Sequence, residues 1–256
     1  MKKSIIIQDL LYWDLFDNLS MEIKENDFVT ISGPNNCGKT TLLRILNREI
    51  ITENNISILN NDINIYRIKD YSEIVQSIIP DEEFFQEETL EEELLLYNSE
   101  KNEIEEILKG LKCKKLHKKK FATMTKKEIL LSEIIITLAQ KPQILLIDQL
   151  STTLDEKETI EVLKYLNTYR ENHTITIIYT TLNLLESLET DQLYIIHNGK
   201  IELSGNPIEV LQQDNIINKI GLKIPFMIDL SVKLKDYELI NEVELDKHRM
   251  VDMLWK

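Results

Sequence analysis

One short segment constrains the fold of this chain more than any other, namely residues 33–41, which read G-P-N-N-C-G-K-T-T. The segment matches the pattern G-x-x-x-x-G-K-[S/T], whose successive backbone N–H groups form a cradle for anions at the start of a helix. The pattern is specific only where it follows a strand and opens a helix. An apolar run at residues 28–31 precedes it, and a helix is predicted over residues 39–47. Residues 33–41, the phosphate loop, are therefore predicted to bind phosphate groups.

The residue types inside the phosphate loop suit a chain of phosphates bound together with Mg²⁺. Lys39 would add a positive charge beside the β- and γ-phosphates, and the Thr40 hydroxyl is a hard oxygen ligand. Asn36 tolerates a positive φ better than most residues with a side chain. Cys37 is interpreted as a small residue that fills space, not as a nucleophile. The candidate phosphate contacts are Gly33, Pro34, Asn35, Asn36, Cys37, Gly38, Lys39, Thr40 and Thr41.

Asp148 is the second candidate for the same site, because it ends the continuous apolar run at residues 144–147. An acid at the carboxyl end of a buried strand holds Mg²⁺ beside such a loop. Apolar residues before an aspartate are common, so this pattern is weak alone and strong together with the phosphate loop. Thr40 and Asp148 are therefore the predicted metal ligands.

The order of apolar runs predicts an α/β fold with a mostly parallel sheet. Strands buried on both faces read as continuous apolar runs, which occur at residues 144–147, 175–179 and 193–196. Helical patterns lie between them, at residues 156–169 and 182–188. The chain contains no internal repeat and no Pro/Gly/Ser-rich linker. These features predict one α/β core.

The remaining segments predict additions to that core. Short strands near the start, at residues 4–7, 19–23 and 28–31, indicate an N-terminal β part. Residues 56–59 and 62–65 predict a hairpin around Asn60-Asn61. A charged, helix-patterned insert covers about residues 81–140. Its basic run is interpreted as a solvated helix end, with contact to a membrane partner or lipid as the alternative; the run comprises Lys114, Lys115, Lys118, Lys119 and Lys120.

Composition excludes several classes of protein. The net charge of −14 argues against a general affinity for nucleic acid or for anionic lipid. Two cysteines are too few for a disulfide framework and fit a reducing compartment. No apolar run approaches the roughly 18 to 20 residues that span a bilayer. If the protein works at a membrane, other chains are expected to hold it there.

The order of phosphate loop, helical insert, Asp-ended strand and S-T-T-L-D (residues 151–155) resembles the ATP-binding subunits of ABC transporters. Residues 197–202 (H-N-G-K-I-E), 204–207 (S-G-N-P) and 221–226 (G-L-K-I-P-F) are similar to ATPases of energy-coupling factor (ECF) transporters, as is the ending Leu254-Trp255-Lys256. The resemblance implies a P-loop fold of the ABC ATPase type over residues 1–220, with an ECF-type extension over 221–256. It also implies ATP and Mg²⁺ as cofactors.

The resemblance further implies an assembly on the cytoplasmic face of the membrane. In it, the chain would form a heterodimer with a second ABC ATPase beneath a transmembrane coupling protein and a membrane-embedded subunit that binds a vitamin or a metal ion. No nucleic acid is expected as a partner.

The sequence departs from this family at its catalytic positions. The motif L-S-G-G-Q is absent because no two glycines are adjacent, and its place is taken by Met124, Thr125, Lys126, Lys127 and Glu128. The catalytic glutamate after Asp148 is replaced by Gln149, whose carboxamide cannot take up a proton at neutral pH. The switch histidine expected after Thr180 is replaced by Thr181. Gln149 and Thr181 therefore occupy the catalytic positions, and weak hydrolysis is expected.

Two further family positions remain open. The Q-loop glutamine is displaced, since Ile78 and Ile79 precede Pro80 and the nearest glutamine is Gln76. Either Tyr12 or Trp13 stands where an aromatic ring stacks on adenine, and both could instead be packing residues.

Alternatives to this interpretation also remain. Gln149 alone could be an engineered substitution that stalls ATP hydrolysis. The further departures from the family's catalytic motifs favour natural degeneracy of those motifs instead. A soluble regulatory ABC-type protein without a transporter is the alternative function, although such proteins carry tandem ATPase domains or long coiled-coil inserts, which this chain lacks. A nucleotide kinase or a GTPase would explain neither residues 151–155 nor residues 221–226.

Overall fold

The computed structural model describes residues 2–52, 55–79, 85–97 and 100–255. Its strands are β1 (Lys3–Tyr12), β2 (Phe16–Lys24), β3 (Phe28–Ser32), β4 (Asn55–Ile58), β5 (Asn61–Asp62), β6 (Val75–Ile78), β7 (Ile144–Asp148), β8 (Thr176–Thr181), β9 (Gln192–His197) and β10 (Lys200–Gly205). Its α-helices are α1 (Lys39–Leu46), α2 (Ile68–Ile74), α3 (Leu90–Leu95), α4 (Lys101–Gly110), α5 (Lys126–Ala139), α6 (Glu156–Asn172), α7 (Pro207–Leu211), α8 (Asp214–Lys219), α9 (Phe226–Asp236) and α10 (Lys247–Leu254). Short 3-10 helices cover Ile63–Ile65, Lys114–Leu116, Phe121–Thr123, Leu150–Thr152 and Leu184–Glu189.

The larger sheet has the strand order β10-β9-β3-β8-β7-β6. Its strands are parallel except for β10, which pairs antiparallel with β9 at one edge. Every residue of β3, β7 and β8 is buried, as the continuous apolar runs predicted. The predicted mostly parallel α/β architecture is therefore confirmed, and the carboxyl ends of β3, β7 and β8 meet at one edge of the sheet.

The N-terminal part is a second, antiparallel sheet of order β2-β1-β4-β5. Burial alternates along the second half of β2, with Leu19, Met21 and Ile23 buried, because this sheet packs one face on the core. The antiparallel part was predicted correctly, but β1 is ten residues long and extends beyond the predicted segment 4–7.

The predicted hairpin forms, but its centre was placed one residue too late. Ile58 pairs with Asn61, so the two-residue turn is Leu59-Asn60, and both residues have positive φ (49° and 67°). Residues 63–65 were predicted as strand and are instead the 3-10 helix that Asp62 caps at its start. Ile63 turns into the core there, which ends the strand early.

The insert is helical where it is described, through α3, α4 and α5. Helix α5 is buried almost all round, and the rings of Phe85 and Phe121 stack with centroids 3.8 Å apart beside it. Its basic run contains exposed lysines, but Lys119 and Lys120 pair with Glu128 and Glu88. The lysines of the run were interpreted as a solvated helix end; they lie instead in the 3-10 helix Lys114–Leu116 and in the segment that follows it, on the surface.

Two further expectations concern helices. The segment predicted as a helix over residues 182–188 forms the 3-10 helix Leu184–Glu189. Beyond residue 220, Leu222 and Ile228 belong to the same apolar cluster as Leu193 and Ile195 of β9. Within the described ranges, no helix is both long and apolar enough to cross a bilayer.

Candidate functional site

The phosphate loop lies between the end of β3 and the start of α1, in the strand–loop–helix context that gives its sequence pattern meaning. Gly38 has φ of 100°, and a Cβ there would lie 2.7 Å from the Phe16 ring. Asn36 has φ of 61°, as predicted. A Cβ on Gly33 would lie 2.3 Å from the carbonyl oxygen of Ile196. Close packing against neighbouring strands therefore fixes the loop.

The ammonium group of Lys39 is held inside the loop. Its side chain is only 5% exposed, and Nζ donates hydrogen bonds of 2.9 Å to the carbonyl oxygens of Gly33 and Pro34. Nζ also lies 3.6 Å from Sγ of Cys37. A Cβ on Gly33 would lie 2.6 Å from that sulfur, so Cys37 fills the space beside Gly33. This placement agrees with the interpretation of Cys37 as a space-filling residue.

The two predicted metal ligands, Thr40 and Asp148, are in direct contact. Thr40 Oγ1 donates a 2.6 Å hydrogen bond to Oδ2 of Asp148, which is buried at the end of β7. The hydroxyl of Thr180 donates to the other carboxylate oxygen. Hydroxyl and carboxylate oxygens are the ligands that Mg²⁺ prefers, and it is commonly held through one or two protein groups and substrate phosphates. The chemistry of this donor set therefore fits Mg²⁺.

Thr180 is a site residue that sequence analysis did not assign. It lies directly opposite Asp148 in the β7–β8 pairing, so its hydroxyl reaches the carboxylate. The contact could have been predicted by pairing the apolar runs at residues 144–147 and 175–179 as parallel neighbours, which brings Asp148 and Thr180 together.

Gln149 follows Asp148 at the same edge of the sheet. Its backbone lies in the left-handed region, with φ of 44°, and its N–H donates a 3.0 Å hydrogen bond to the carbonyl oxygen of Thr180. The structure thus places Gln149 next to the two predicted metal ligands.

Thr181 lies at this edge too, but its hydroxyl is already engaged. It is fully buried, its Oγ1 donates a 2.5 Å hydrogen bond to Oε2 of Glu186, and it accepts one of 3.0 Å from the N–H of Asn183. A hydroxyl has one proton, so Thr181 has none left to donate to a phosphate in this arrangement. Glu186 was not predicted from the sequence, since it occurs in a segment with a helical apolar pattern.

Gln76 is not at the site. It is the second residue of β6 and pairs with Leu145, near the start of β7, whereas Asp148 ends β7. Its side chain donates to the carbonyl oxygen of Ser72. Ile78 and Ile79, which stand at the Q-loop position, are buried. Pro80 and residues 81–84 lie outside the described residues.

The signature-position segment, residues 124–128, leads into α5, with Thr125 at the N-cap and Lys126 as the first helical residue. Thr125 and Glu128 form a capping box, in which each side chain accepts a hydrogen bond from the other residue's N–H. Glu128 also pairs with Lys119 at 2.6 Å. The hydrogen bond from Lys119, followed by that from the Thr125 N–H, lowers the pKa of Glu128 to about 2. Lys127 pairs with Glu158 on α6, so these polar groups already have partners within the chain.

Tyr12 ends β1, and Trp13 follows it in the turn to β2. Trp13 is 89% exposed with φ of 47°, and its ring meets that of Tyr12 edge-on, with centroids 6.5 Å apart. Tyr12 packs on the same apolar cluster as Cys37 of the loop. Leu15 and Phe16, at the far end of this turn, lie 3.0 and 2.7 Å from a Cβ built on Gly38, so the turn borders the phosphate loop.

The comparisons with known proteins agree with this geometry. A family model described as ABC transporter matches residues 16–152. The energy-coupling factor transporter ATP-binding protein EcfA1 of Listeria monocytogenes is 24% identical over 93% of this chain and 90% of its own length. That of Clostridioides difficile is 29% identical over 84% of this chain and 82% of its own.

Solved structures share the fold. The structure of cbiO1 from Clostridium perfringens, described as part of the ABC transporter complex cbiONQ, has a TM-score of 0.74 at 22% identity and covers 90% of this chain and 99% of that one. A bacterial Atm1-family ABC exporter with ATP bound has a TM-score of 0.72 at 18% identity, covering 86% of this chain and 41% of that one. The family model matches more than half of the chain, Thr40 of the phosphate loop contacts Asp148, and the fold is shared. This chain therefore belongs to the ABC transporter family.

Proposed function

We propose that this chain is the ATP-binding subunit of an ECF-type importer and that it binds Mg-ATP at the phosphate loop. The observation that carries the proposal is the meeting of Lys39, Thr40 and Asp148 at the carboxyl edge of the sheet. The names of the relatives, which are ECF transporter ATP-binding proteins, support the transporter role. The partners we propose are a second ABC ATPase, a transmembrane coupling protein and a membrane subunit that binds a vitamin or a metal ion, all assembled with this chain on the cytoplasmic face.

Each residue of the site has a task that follows from its chemistry. The backbone N–H groups of the loop and of the start of α1 bind phosphate oxygens, and Lys39 neutralises part of their charge. Thr40 and Asp148 hold Mg²⁺, which, when bound, neutralises charge on the phosphates. Tyr12 or Trp13 stacks on adenine at the turn beside the loop.

Hydrolysis at this chain's own site is proposed to be weak. Gln149 lies where a carboxylate would accept a proton from the attacking water, and a carboxamide cannot do so. General-base assistance of this kind contributes about 10²- to 10⁴-fold to a rate. Thr181 gives no compensation, because its proton is used in the hydrogen bond to Glu186. Bound ATP would therefore be hydrolysed slowly and would remain at the site for a long time.

A groove at the C-terminal end of α1 supports the proposed contact with a transmembrane protein. A cavity of about 350 Å³ is lined by Ile51 and Ile68, which are 81% and 82% exposed, together with residues of β6. A second candidate for this contact is an apolar groove beside the helical insert, at about residues 81–96. In the described part of that segment, Leu95 and Leu96 are exposed. Exposed apolar side chains on both segments are what a docking helix would cover.

The binding half of the proposal predicts that Mg-ATP raises the thermal stability of the nucleotide-free chain. Ligand linkage gives about 2.7 kcal/mol when free ATP is 100 times its Kd. Lys39→Ala should remove this shift, whereas Lys235→Ala, which changes a lysine in the last turn of α9, should retain it. A melting temperature that ignores saturating Mg-ATP, or rises equally in Lys39→Ala, would show that the phosphate loop does not bind nucleotide.

A further inference from the structure

Glu93 of α3 is buried, and its carboxylate holds the loop that precedes this helix. The residue is 1% exposed. Its Oε2 accepts hydrogen bonds from the backbone N–H groups of Gln86 (2.8 Å) and Glu87 (2.9 Å), and its Oε1 accepts one of 3.3 Å from the hydroxyl of Tyr97. Hydrogen bonds to a charged acceptor are stronger than neutral ones. Glu93 therefore fixes the path of the backbone just before α3.

The pre-α3 loop, as we name residues 85–89, is attached by its backbone to the segment that leads toward α5. Thr89 and Lys120 form an antiparallel bridge, and the N–H of Phe121 donates a 3.0 Å hydrogen bond to the carbonyl oxygen of Glu88. The side chains of Lys120 and Glu88 also form an ion pair of 2.6 Å. The attachment thus joins parts of the chain that lie about thirty residues apart.

An aromatic pair reinforces the attachment. The rings of Phe85 and Phe121 stack with their centroids 3.8 Å apart and their planes 8° apart. Phe121 belongs to the apolar core around α5, and Phe85 packs against that core. Separating the two segments would expose both rings to water, which is unfavourable.

The far side of the attachment is continuous with the signature-position segment, residues 124–128. Phe121 begins the 3-10 helix that directly precedes this segment, and the N–H of Met124 donates a 2.9 Å hydrogen bond to the carbonyl oxygen of Phe121. Lys119 pairs with Glu128 of the capping box at 2.6 Å. Direct contacts therefore connect Glu93 to the start of α5.

We propose that Glu93 is a positioning residue that makes the pre-α3 loop and the signature-position segment move together when a protein docks on the insert. Leu95 and Leu96, at the end of the same helix, are exposed and available for that contact. The inference rests on the proposed function in one respect, namely that the docking protein is the transmembrane partner. Docking would then reach residues 124–128, which the family resemblance places against the ATP of the second ATPase.

The test is hydrogen exchange of the nucleotide-free chain, which depends on neither ATP nor a partner. Glu93→Met keeps the approximate size of the side chain and removes both acceptors. Exchange of the pre-α3 loop should rise about tenfold or more, and that of the protected amides in residues 121–128 should rise with it. Glu93→Gln retains one acceptor oxygen for the two N–H groups and should restore most of the protection in both segments. Glu105→Met, on the exposed face of α4, is the matched control and should change neither.

A second variant distinguishes joint movement from two separate local effects. Phe85→Leu removes the ring stack and leaves the hydrogen bonds to Glu93 in place. It should raise exchange in the same two segments roughly two- to tenfold. Because both substitutions open one attachment, the double variant should exceed the larger single effect by much less than the product of the two.

The outcomes separate the inference from the proposed function. Glu93 is merely structural, and the inference is overturned, if Glu93→Met loosens the pre-α3 loop alone, if exchange rises throughout the chain, or if the effects of Glu93→Met and Phe85→Leu multiply. If the two segments loosen together but no transmembrane protein co-purifies with the parent chain, the joint movement stands and the proposed transporter role fails.

Discussion

Two side-chain oxygens, those of Thr40 and Asp148, determine how the phosphate loop would hold a metal ion. They lie 2.6 Å apart, so a cation between them would replace a hydrogen bond that the folded chain already makes. Thr40→Val should therefore weaken ATP binding about ten- to hundredfold in the presence of Mg²⁺. In the presence of EDTA the loss should be much smaller, as measured by fluorescence titration.

Thr40→Ser is the matched control, because it retains the hydroxyl and should bind nearly as the parent does. An equal loss in Thr40→Val with and without Mg²⁺ would mean that the hydroxyl does not ligate the metal.

Single residues also show where prediction from the sequence succeeds and where it stops. The phosphate loop and Asp148 were predicted because their pattern is local and chemically demanding. Glu186 was not predicted, because a charged residue in a helical pattern is ordinarily solvated. A signal did exist: Tyr179 closes a buried apolar run, and a buried tyrosine hydroxyl requires a partner, here Glu186.

Helix α5 depends on its capping box, and this predicts an effect of pH. Lys119 holds the pKa of Glu128 at about 2, below its ordinary 4.5. A lowered pKa means that the carboxylate stabilises the fold fully above pH 4.5 and loses that contribution as the pH falls toward 2. Glu128→Gln should therefore reduce the loss of melting temperature between pH 5 and pH 2.

Glu209→Gln, on the exposed face of α7, is the control and should follow the parent curve. If the Glu128 variant loses as much melting temperature on acidification as the parent, Glu128 does not stabilise α5 through its charge.

The hairpin between β4 and β5 shows why the existence of an element can be predicted correctly while its register is predicted wrongly. Asn60 and Asn61 are both suited to a turn, and the sequence alone favoured them as its centre. The buried side chains of Ile56 and Ile58 fix the register instead, and this requires Leu59 to adopt a positive φ. Few leucines adopt that conformation, so local propensity could not identify it.

On the scale of the assembly, we expect an unequal division of ATP hydrolysis between the proposed heterodimer's two sites. The resemblance to this family implies that each ATP lies between one chain's phosphate loop and the other chain's signature segment. The ATP held by Lys39 would meet Gln149 and the engaged hydroxyl of Thr181. Most turnover should therefore come from the partner's phosphate loop.

Separate mutation of each phosphate-loop lysine in the reconstituted complex tests this division. Lys39→Ala should retain most of the ATPase rate, and the equivalent change in the partner should abolish it. The reverse result would require the assigned roles to be exchanged.

The apolar groove beside α1 gives a prediction for the transmembrane partner. Ile51→Asp or Ile68→Asp should reduce the amount of coupling protein that co-purifies with this chain from co-expressing membranes. Ile65→Asp is the matched control, because Ile65 is also exposed but does not line the groove. All three variants should keep the rise in melting temperature with Mg-ATP. Equal recovery of the coupling protein with all three variants would show that it does not dock in this groove.

The central position of β3 has a consequence for how the chain is made. Its two edges are covered by β8 and β9, which come from the second half of the sequence. A growing chain that has not yet reached residue 176 therefore carries an apolar strand with both edges open, the feature that favours aggregation. The sheet that carries the phosphate loop can therefore form only late in synthesis. Protection by chaperones is most needed while the first half of the chain has been made and the second half has not.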